Sequence, residues 1–176
     1  MRASDLDFSR IKHFSESEFP SIDTVGGERS VLEFTDARVI QEIDRFRNRL
    51  GAGVSPSPLA AGWVREGGST GSRHYIGPIK LYENGEPHSA RLSTAGDIFP
   101  YCDIREALLV ALGMPVFGGV GVYLDTRGLK GTPQPMMHLD LRDGPRQVWM
   151  RYEGEYIYPG RGQNEMDFFF RKLAEV

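Results

Sequence analysis

One stretch of this sequence repeats its apolar residues at helical spacing, and the chain after it is cut into short segments by glycine and proline. In residues 36–50 the apolar side chains share one helical stripe, formed by Val39, Ile43, Phe46 and Leu50. Thr35 or Asp36 can cap this helix, and Gly51 can end it. The 21 glycines and 11 prolines make up about 18% of the 176 residues, against about 12% in an average protein. This pattern predicts a loop-rich chain with one early helix.

The later segments alternate short strands with helices. The predicted elements are a hairpin turn at 83–85, a helix over 103–112 opened by a capping box of Asp103 and Glu106, strands over 116–124, 136–141 and 147–152, and a helix over 164–173 capped by Asn164. We therefore predict an α+β fold with a small antiparallel sheet and helices packed on one side of it. The predicted organisation is an N-terminal arm (1–30), one domain (31–160) and a C-terminal helix (161–176).

Composition excludes several classes of protein. The net charge is −3, with 21 basic and 24 acidic residues in mixed order, which argues against a nucleic-acid binder that works by neutralising phosphates. No apolar run reaches the roughly 18 to 20 residues of a membrane span, and we expect no signal peptide because no apolar segment follows the first basic residue. The single Cys102 permits neither an internal disulfide nor a four-thiolate zinc site. A metal site in this chain must therefore use histidine and carboxylate ligands.

Only four histidines are available, and one of them lies in a His-x-Asp pattern on a predicted strand. Strand alternation places Met137, Leu139 and Leu141 in the core and turns His138 and Asp140 together into a cleft. Asp140 could then orient the imidazole of His138, hold a water molecule or accept its proton. It could also pair with an arginine such as Arg142 or Arg65.

Several motifs occur in the order found in one family of zinc peptidases. They are Ala61-Gly62-Trp63-Val64-Arg65 at a strand end, Ser72-Arg73-His74-Tyr75-Ile76-Gly77, Gly96-Asp97-Ile98-Phe99-Pro100, Gly119-Val120-Gly121-Val122-Tyr123, and Met137-His138-Leu139-Asp140-Leu141-Arg142. The chain from about residue 14 to 152 thereby resembles the D-Ala-D-Ala carboxypeptidase and L-alanoyl-D-glutamate endopeptidase family, which includes phage endolysins. The resemblance implies one zinc ion, bound by His74, Asp97 and His138 on the open face of the sheet. It also implies that Arg65 steadies the substrate carbonyl or carboxylate as charge develops.

The sequence departs from the family pattern at two places. Residues 78–95 are an insertion between His74 and Asp97, and they contain His88, a rival ligand that lacks the Ser-x-His context. Many members carry a catalytic acid three residues before the final histidine, where this chain has Pro135. Asp140 or Asp125 could take over that role, or the activity could be lost.

Other features indicate structure. Trp63 and Trp149 are expected in the core or in the wall of the cleft. The glycine-rich segment 118–121 lacks phosphate-loop spacing, and its glycines could let an extended peptide approach the strand closely. Phe168 and Phe169 are expected to pack in the last helix, which leaves Phe170 for a partner surface.

The expected function is a zinc-dependent peptidase that cleaves the peptide stems of bacterial peptidoglycan. The expected lack of a signal peptide suits a phage-encoded protein, located in the virion or released from the host cytoplasm to the cell wall. A cytoplasmic bacterial enzyme of the same family is the other expectation that stays open. The alternative is a structural or interaction protein of the virion, which keeps the metal site without turnover and contacts other virion proteins.

Overall fold

The structure is a computed structural model that describes residues 1–128 and 131–176. In these two ranges it has three α-helices, α1 (Ala37–Leu50), α2 (Ile104–Leu112) and α3 (Gln163–Ala174). It has ten strands, namely β1 (Ser21–Thr24), β2 (Gly27–Ser30), β3 (Val54–Pro56), β4 (Lys80–Leu81), β5 (Pro87–His88), β6 (Ala95–Pro100), β7 (Gly119–Tyr123), β8 (Met136–Asp140), β9 (Gln147–Tyr152) and β10 (Glu155–Ile157). Short 3-10 helices connect several of them, at Ala3–Asp5, Phe8–Arg10, Glu16–Glu18, Val31–Phe34, Ala60–Gly62 and Pro159–Arg161. None of the helices in the described ranges is long and apolar enough to cross a bilayer.

Helix α1 confirms the helix predicted from the apolar stripe. The Asp36 carboxylate accepts a hydrogen bond from the backbone N–H of Arg38 at 2.9 Å, which satisfies an amide of the first turn. At the other end, the N–H of Gly51 donates to the carbonyl of Arg47 at 3.1 Å, with Gly51 at a φ of +68°. Val39, Ile43 and Phe46 are buried, so the predicted stripe is the face that packs.

The later helices follow the prediction, with a difference at the start of the last one. Asp103 caps α2 as predicted, and its carboxylate accepts a hydrogen bond from the N–H of Arg105 at 2.8 Å. Helix α3 begins before Asn164, so the expected cap is wrong and Gly162 takes that position. In α3, Phe169 is buried and Phe170 is exposed, as predicted.

The α+β class is confirmed, but the main sheet is mixed. Its six strands lie in the order β10-β9-β7-β8-β6-β3. Strand β8 is antiparallel to β7 and places His138 opposite Gly121. Strand β9 is parallel to β7 and places Trp149 on the other side of Gly121. The prediction of a purely antiparallel sheet is therefore wrong for this pair. The reason is that the chain leaving β8 crosses the end of β7 and pairs on its other side.

The glycines of β7 make room for neighbouring groups of the same chain. A Cβ on Gly118 would overlap the carbonyl oxygen of Arg142, where the chain crosses the end of the strand. A Cβ on Gly119 would overlap the Asp140 carboxylate, and one on Gly121 would overlap the Trp149 indole. The expectation that these glycines admit an extended peptide is not supported at Gly119 and Gly121, because Asp140 and Trp149 fill that space.

The chain forms two compact units, Met1–Arg45 with Pro56–Gly96, and Phe46–Ser55 with Asp97–Val176. In the first, Trp63 is fully buried, donates its indole N–H to the carbonyl of Ser57 at 3.0 Å and packs edge-on against Phe19. In the second, Phe46 packs edge-on against Phe117. The predicted boundaries at 30 and 160 stay a prediction.

Replacing Gly121 by alanine should destabilise the protein, because the new methyl group has no space beside the Trp149 ring. Overpacking of this kind costs about 1–3 kcal/mol. Urea unfolding followed by circular dichroism measures the loss. Gly160→Ala is the matched control, since nothing lies within 4 Å of the added carbon there. Equal midpoints for the two variants would contradict this account of the strand.

Candidate metal centre

His138 and Asp140 lie on the same face of β8, as strand alternation predicts, but both are buried. Asp140 is fully buried and His138 is 5% exposed, so the expectation that they open into a cleft is wrong for Asp140. The Trp149 ring lies 5.1 Å from the imidazole of His138, and the Arg142 guanidinium lies 5.3 Å from the Trp149 ring. Trp149 therefore forms part of the wall around His138, in agreement with the sequence prediction.

Each ring nitrogen of His138 meets a carboxylate. Nδ1 lies 2.9 Å from Oδ1 of Asp97, and Nε2 lies 2.9 Å from Oδ2 of Asp140. Oδ1 of Asp140 accepts hydrogen bonds from the backbone N–H of Arg142 at 3.0 Å and from its Nε at 2.8 Å. A continuous chain of side chains with alternating charge thus connects Asp97, His138, Asp140 and Arg142.

This arrangement controls the charge of His138. Burial alone would lower the pKa of the imidazole, but hydrogen bonds to Asp140 and Asp97 raise the pKa of His138 to about 9. Burial likewise opposes ionisation of Asp140, yet hydrogen bonds from His138 and Arg142 hold the pKa of its carboxyl well below the usual range. In the metal-free protein at neutral pH, an imidazolium therefore lies between two carboxylates.

His74 is held by contacts of its own neighbourhood. Its backbone N–H donates to Oγ of Ser72 at 3.3 Å, and its carbonyl accepts from the N–H of Arg65 at 2.8 Å. Its Nδ1 lies 3.3 Å from the carbonyl oxygen of Trp63. Because a carbonyl only accepts, this contact places the proton on Nδ1 and leaves Nε2 of a neutral imidazole as the atom that could bind a metal ion.

The inserted segment supports the loop that carries His74. Arg91 donates to the carbonyls of Thr70 at 2.9 Å, Ser72 at 3.0 Å and Tyr75 at 2.5 Å. These bonds fix the backbone on both sides of His74. No local sequence pattern indicates this role of Arg91, because the contacts join residues 16 to 21 positions apart.

The three predicted ligands come together. His74, Asp97 and His138 are all buried, and each offers one ligand atom such that all three atoms lie within 4.8 Å of one another. This group could hold a metal ion. The ligand set expected from the family resemblance is thus present as a cluster.

The remaining candidate residues are placed elsewhere. His88 lies in β5, stacked on Tyr82 with 3.7 Å between ring centroids, and it is not a member of the cluster. Asp125 pairs with Arg151 at 3.0 Å and accepts from the N–H of Gly154 at 2.9 Å. Arg65 is exposed and donates its Nε to the carbonyl of Ala61 at 2.7 Å. Its proposed contact with substrate stays a prediction.

Comparison with known proteins adds no assignment: no protein family, curated protein or solved structure matches the chain. The functional argument therefore depends on the residues of the cluster.

Metal content should separate the two histidines that competed in the sequence. His74→Ala removes one of three ligands and should lose bound zinc, whereas His88→Ala, which removes a ring stacked on Tyr82, should retain it. Elemental analysis after dialysis against zinc measures both variants. Retention by His74→Ala together with loss by His88→Ala would overturn the ligand assignment.

The metal-free protein should lose stability as pH rises. The pKa of His138 is about 9 in the folded protein and about 6.5 in an unfolded chain, so its stabilising contribution is complete below about 6.5 and is lost as pH rises through about 9. Urea midpoints measured in chelator from pH 6 to pH 10 should therefore fall over that interval. His138→Gln should show a flatter profile, and an identical profile would contradict the charged imidazole.

Proposed function

We propose that this protein is a phage-encoded, zinc-dependent peptidase that cleaves the peptide stems of bacterial peptidoglycan. The observation that carries the proposal is the buried cluster of His74, Asp97 and His138. The order of the surrounding motifs, which resembles that of cell-wall zinc peptidases, supports the same substrate class.

The donor set fits zinc. Two imidazole nitrogens and one carboxylate oxygen are a common ligand set of catalytic zinc, which leaves the fourth position for water or substrate. His74 would offer Nε2, Asp97 a carboxylate oxygen, and His138 its Nδ1 after losing a proton. Bound zinc lowers the pKa of water and polarises a carbonyl group, which is the chemistry that amide hydrolysis requires.

Asp140 is suited to hold His138 in place. Its carboxylate is fully buried, with Oδ2 on His138 and Oδ1 on Arg142. Because the pKa of this carboxyl is lowered, it is a weak proton acceptor at neutral pH. With Nε2–H donating to Asp140, Nδ1 is the nitrogen left to bind the metal, and the hydrogen bond raises its basicity. This supports a positioning role for Asp140, the first of the roles open to it in the sequence.

Arg65 is our proposed cation for the substrate. Its backbone N–H bonds to the carbonyl of His74, so its exposed side chain leaves the chain beside a metal ligand. A cation there can stabilise the carbonyl oxygen or a carboxylate of a stem peptide as negative charge develops.

A second candidate function is a virion component that binds zinc without turnover. It is favoured by the engagement of Asp140 with His138 and Arg142, together with Pro135 at the position where the family carries an acid. Neither residue supplies a carboxylate that is free to take a proton from water.

Purified cell-wall sacculi distinguish these two functions. Zinc-loaded protein should release soluble stem peptides or amino acids, a chelator should stop the release, and added zinc should restore it, with His88→Ala as an active control and His138→Ala as an inactive one. Chromatography of the soluble fragments measures the release. A wild-type protein that holds one zinc per chain and releases nothing would instead establish the second candidate.

In the same assay, Asp140→Asn tests the positioning role. Losing the charge that supports a metal-binding histidine lowers zinc affinity about 10–100-fold. At saturating zinc, the variant should therefore keep most of the wild-type release. Unchanged zinc affinity with abolished release would make Asp140 the base.

A further inference from the structure

Tyr123 lies on the face of the sheet that carries His138. In the antiparallel register of β7 and β8, Gly121 is opposite His138 and Tyr123 is opposite Met136. Tyr123 is therefore the diagonal neighbour of His138, at a distance that an aromatic side chain can span. Gly121 has no side chain, and the Trp149 indole fills the space that a Cβ at this position would occupy.

The hydroxyl of Tyr123 is held by Trp149. The indole Nε1–H of Trp149 donates to Oη of Tyr123 at 3.3 Å, while the same indole lies 5.1 Å from the imidazole of His138. A phenol oxygen that accepts one hydrogen bond still carries its own proton, which rotates about the C–O bond to reach an acceptor. The Tyr156 ring packs edge-on against Tyr123, with 6.2 Å between centroids, and is half exposed. Trp149 thus contacts Tyr123 on the side that faces His138, and Tyr156 contacts it on the side that faces solvent.

Tyr123 keeps its proton. Burial is the largest cause that raises the pKa of its phenol, and the charge of Asp97 comes next. The Trp149 hydrogen bond lowers this pKa, while the charge of Tyr156 and a side-chain hydrogen bond with Tyr156 raise it. A phenol of this kind donates a hydrogen bond at neutral pH and does not act as a base.

We propose that Tyr123 is a catalytic residue whose hydroxyl donates a hydrogen bond to the carbonyl oxygen of the scissile amide as that oxygen becomes negative. The role rests on the proposed function. In the hydrolysis, the oxygen of water adds to the carbonyl carbon, the carbon–nitrogen bond breaks, and the amine leaves with a proton from the water. Tyr123 retains its own proton throughout, so its contribution is electrostatic. This donor would complement Arg65 on the same developing charge.

Tyr123→Phe removes the hydroxyl and keeps the ring. Zinc-loaded variant protein should release soluble stem peptides or amino acids with kcat lowered about 100-fold, the size of effect seen when one donor to such an oxygen is removed. KM and zinc content should stay at the wild-type values. Tyr158→Phe is the matched control, because its ring lies under Arg161 at 3.9 Å and its hydroxyl has no part in the proposal. It should behave as the wild type.

A second measurement separates a role in the reaction from a role in the fold. A phosphinate analogue of the stem peptide carries charged oxygens like those of the tetrahedral intermediate, so Tyr123→Phe should bind it about 10–100-fold more weakly in calorimetry. Affinity for the cleaved product peptide should not change.

The outcomes are distinct. Three results would overturn the role of Tyr123 while the proposed peptidase stands. They are a kcat of Tyr123→Phe equal to that of the wild type, an equal loss of affinity for the phosphinate and the product peptide, and loss of zinc by the variant. A wild-type protein that binds zinc but neither cleaves sacculi nor binds the phosphinate would overturn the proposed function, and the role of Tyr123 with it.

Discussion

The imidazole of His138 lies between the carboxylates of Asp97 and Asp140, and all three groups are buried. Buried carboxylates are costly unless a cation and hydrogen bonds compensate them. Here Arg142 neutralises one end of the chain, and the His138 proton supplies the second positive charge. A divalent ion among His74, Asp97 and His138 would take the place of that proton. Metal binding would therefore release a proton and would be linked to folding stability.

The glycines of β7 make this charged chain possible. The Asp140 carboxylate occupies the space where a side chain of Gly119 would lie, and the Trp149 indole occupies the space beside Gly121. With larger residues in β7, neither group could approach the strand, and His138 would lose the carboxylate at its Nε2 and its aromatic wall while keeping Asp97 at Nδ1. The glycine-rich strand thus acts through packing, by admitting groups of the same chain.

The parts of the fold set by local pattern could be predicted. The apolar stripe of α1, the turn at Gly85 and the His-x-Asp alternation of β8 each depend on residues close in sequence. The parallel pairing of β7 with β9 could not be predicted, because the alternation of side chains along a strand does not depend on whether its partner runs parallel or antiparallel to it. The burial of Asp140 also escaped prediction, since it depends on Gly119 and Arg142 meeting around one carboxylate. The ligand cluster was predicted through family resemblance, because His74 and Asp97 are too far apart in sequence for local geometry to join them.

The crossing of the chain over the end of β7 has a consequence for how the protein reaches its native state. Strands β8 and β9 are joined by only six residues, 141–146, which include Asp143-Gly144, a sequence that favours a two-residue hairpin turn. In the native sheet β7 lies between these strands, so that hairpin does not form. The local pairing is fast to close, whereas the native partner of Gln147 is Gly119, 28 positions earlier in the sequence. During folding, β7 must therefore enter the sheet between β8 and β9 before these two strands close the competing hairpin. Pro145 follows the turn and has no N–H to donate, so it weakens that hairpin.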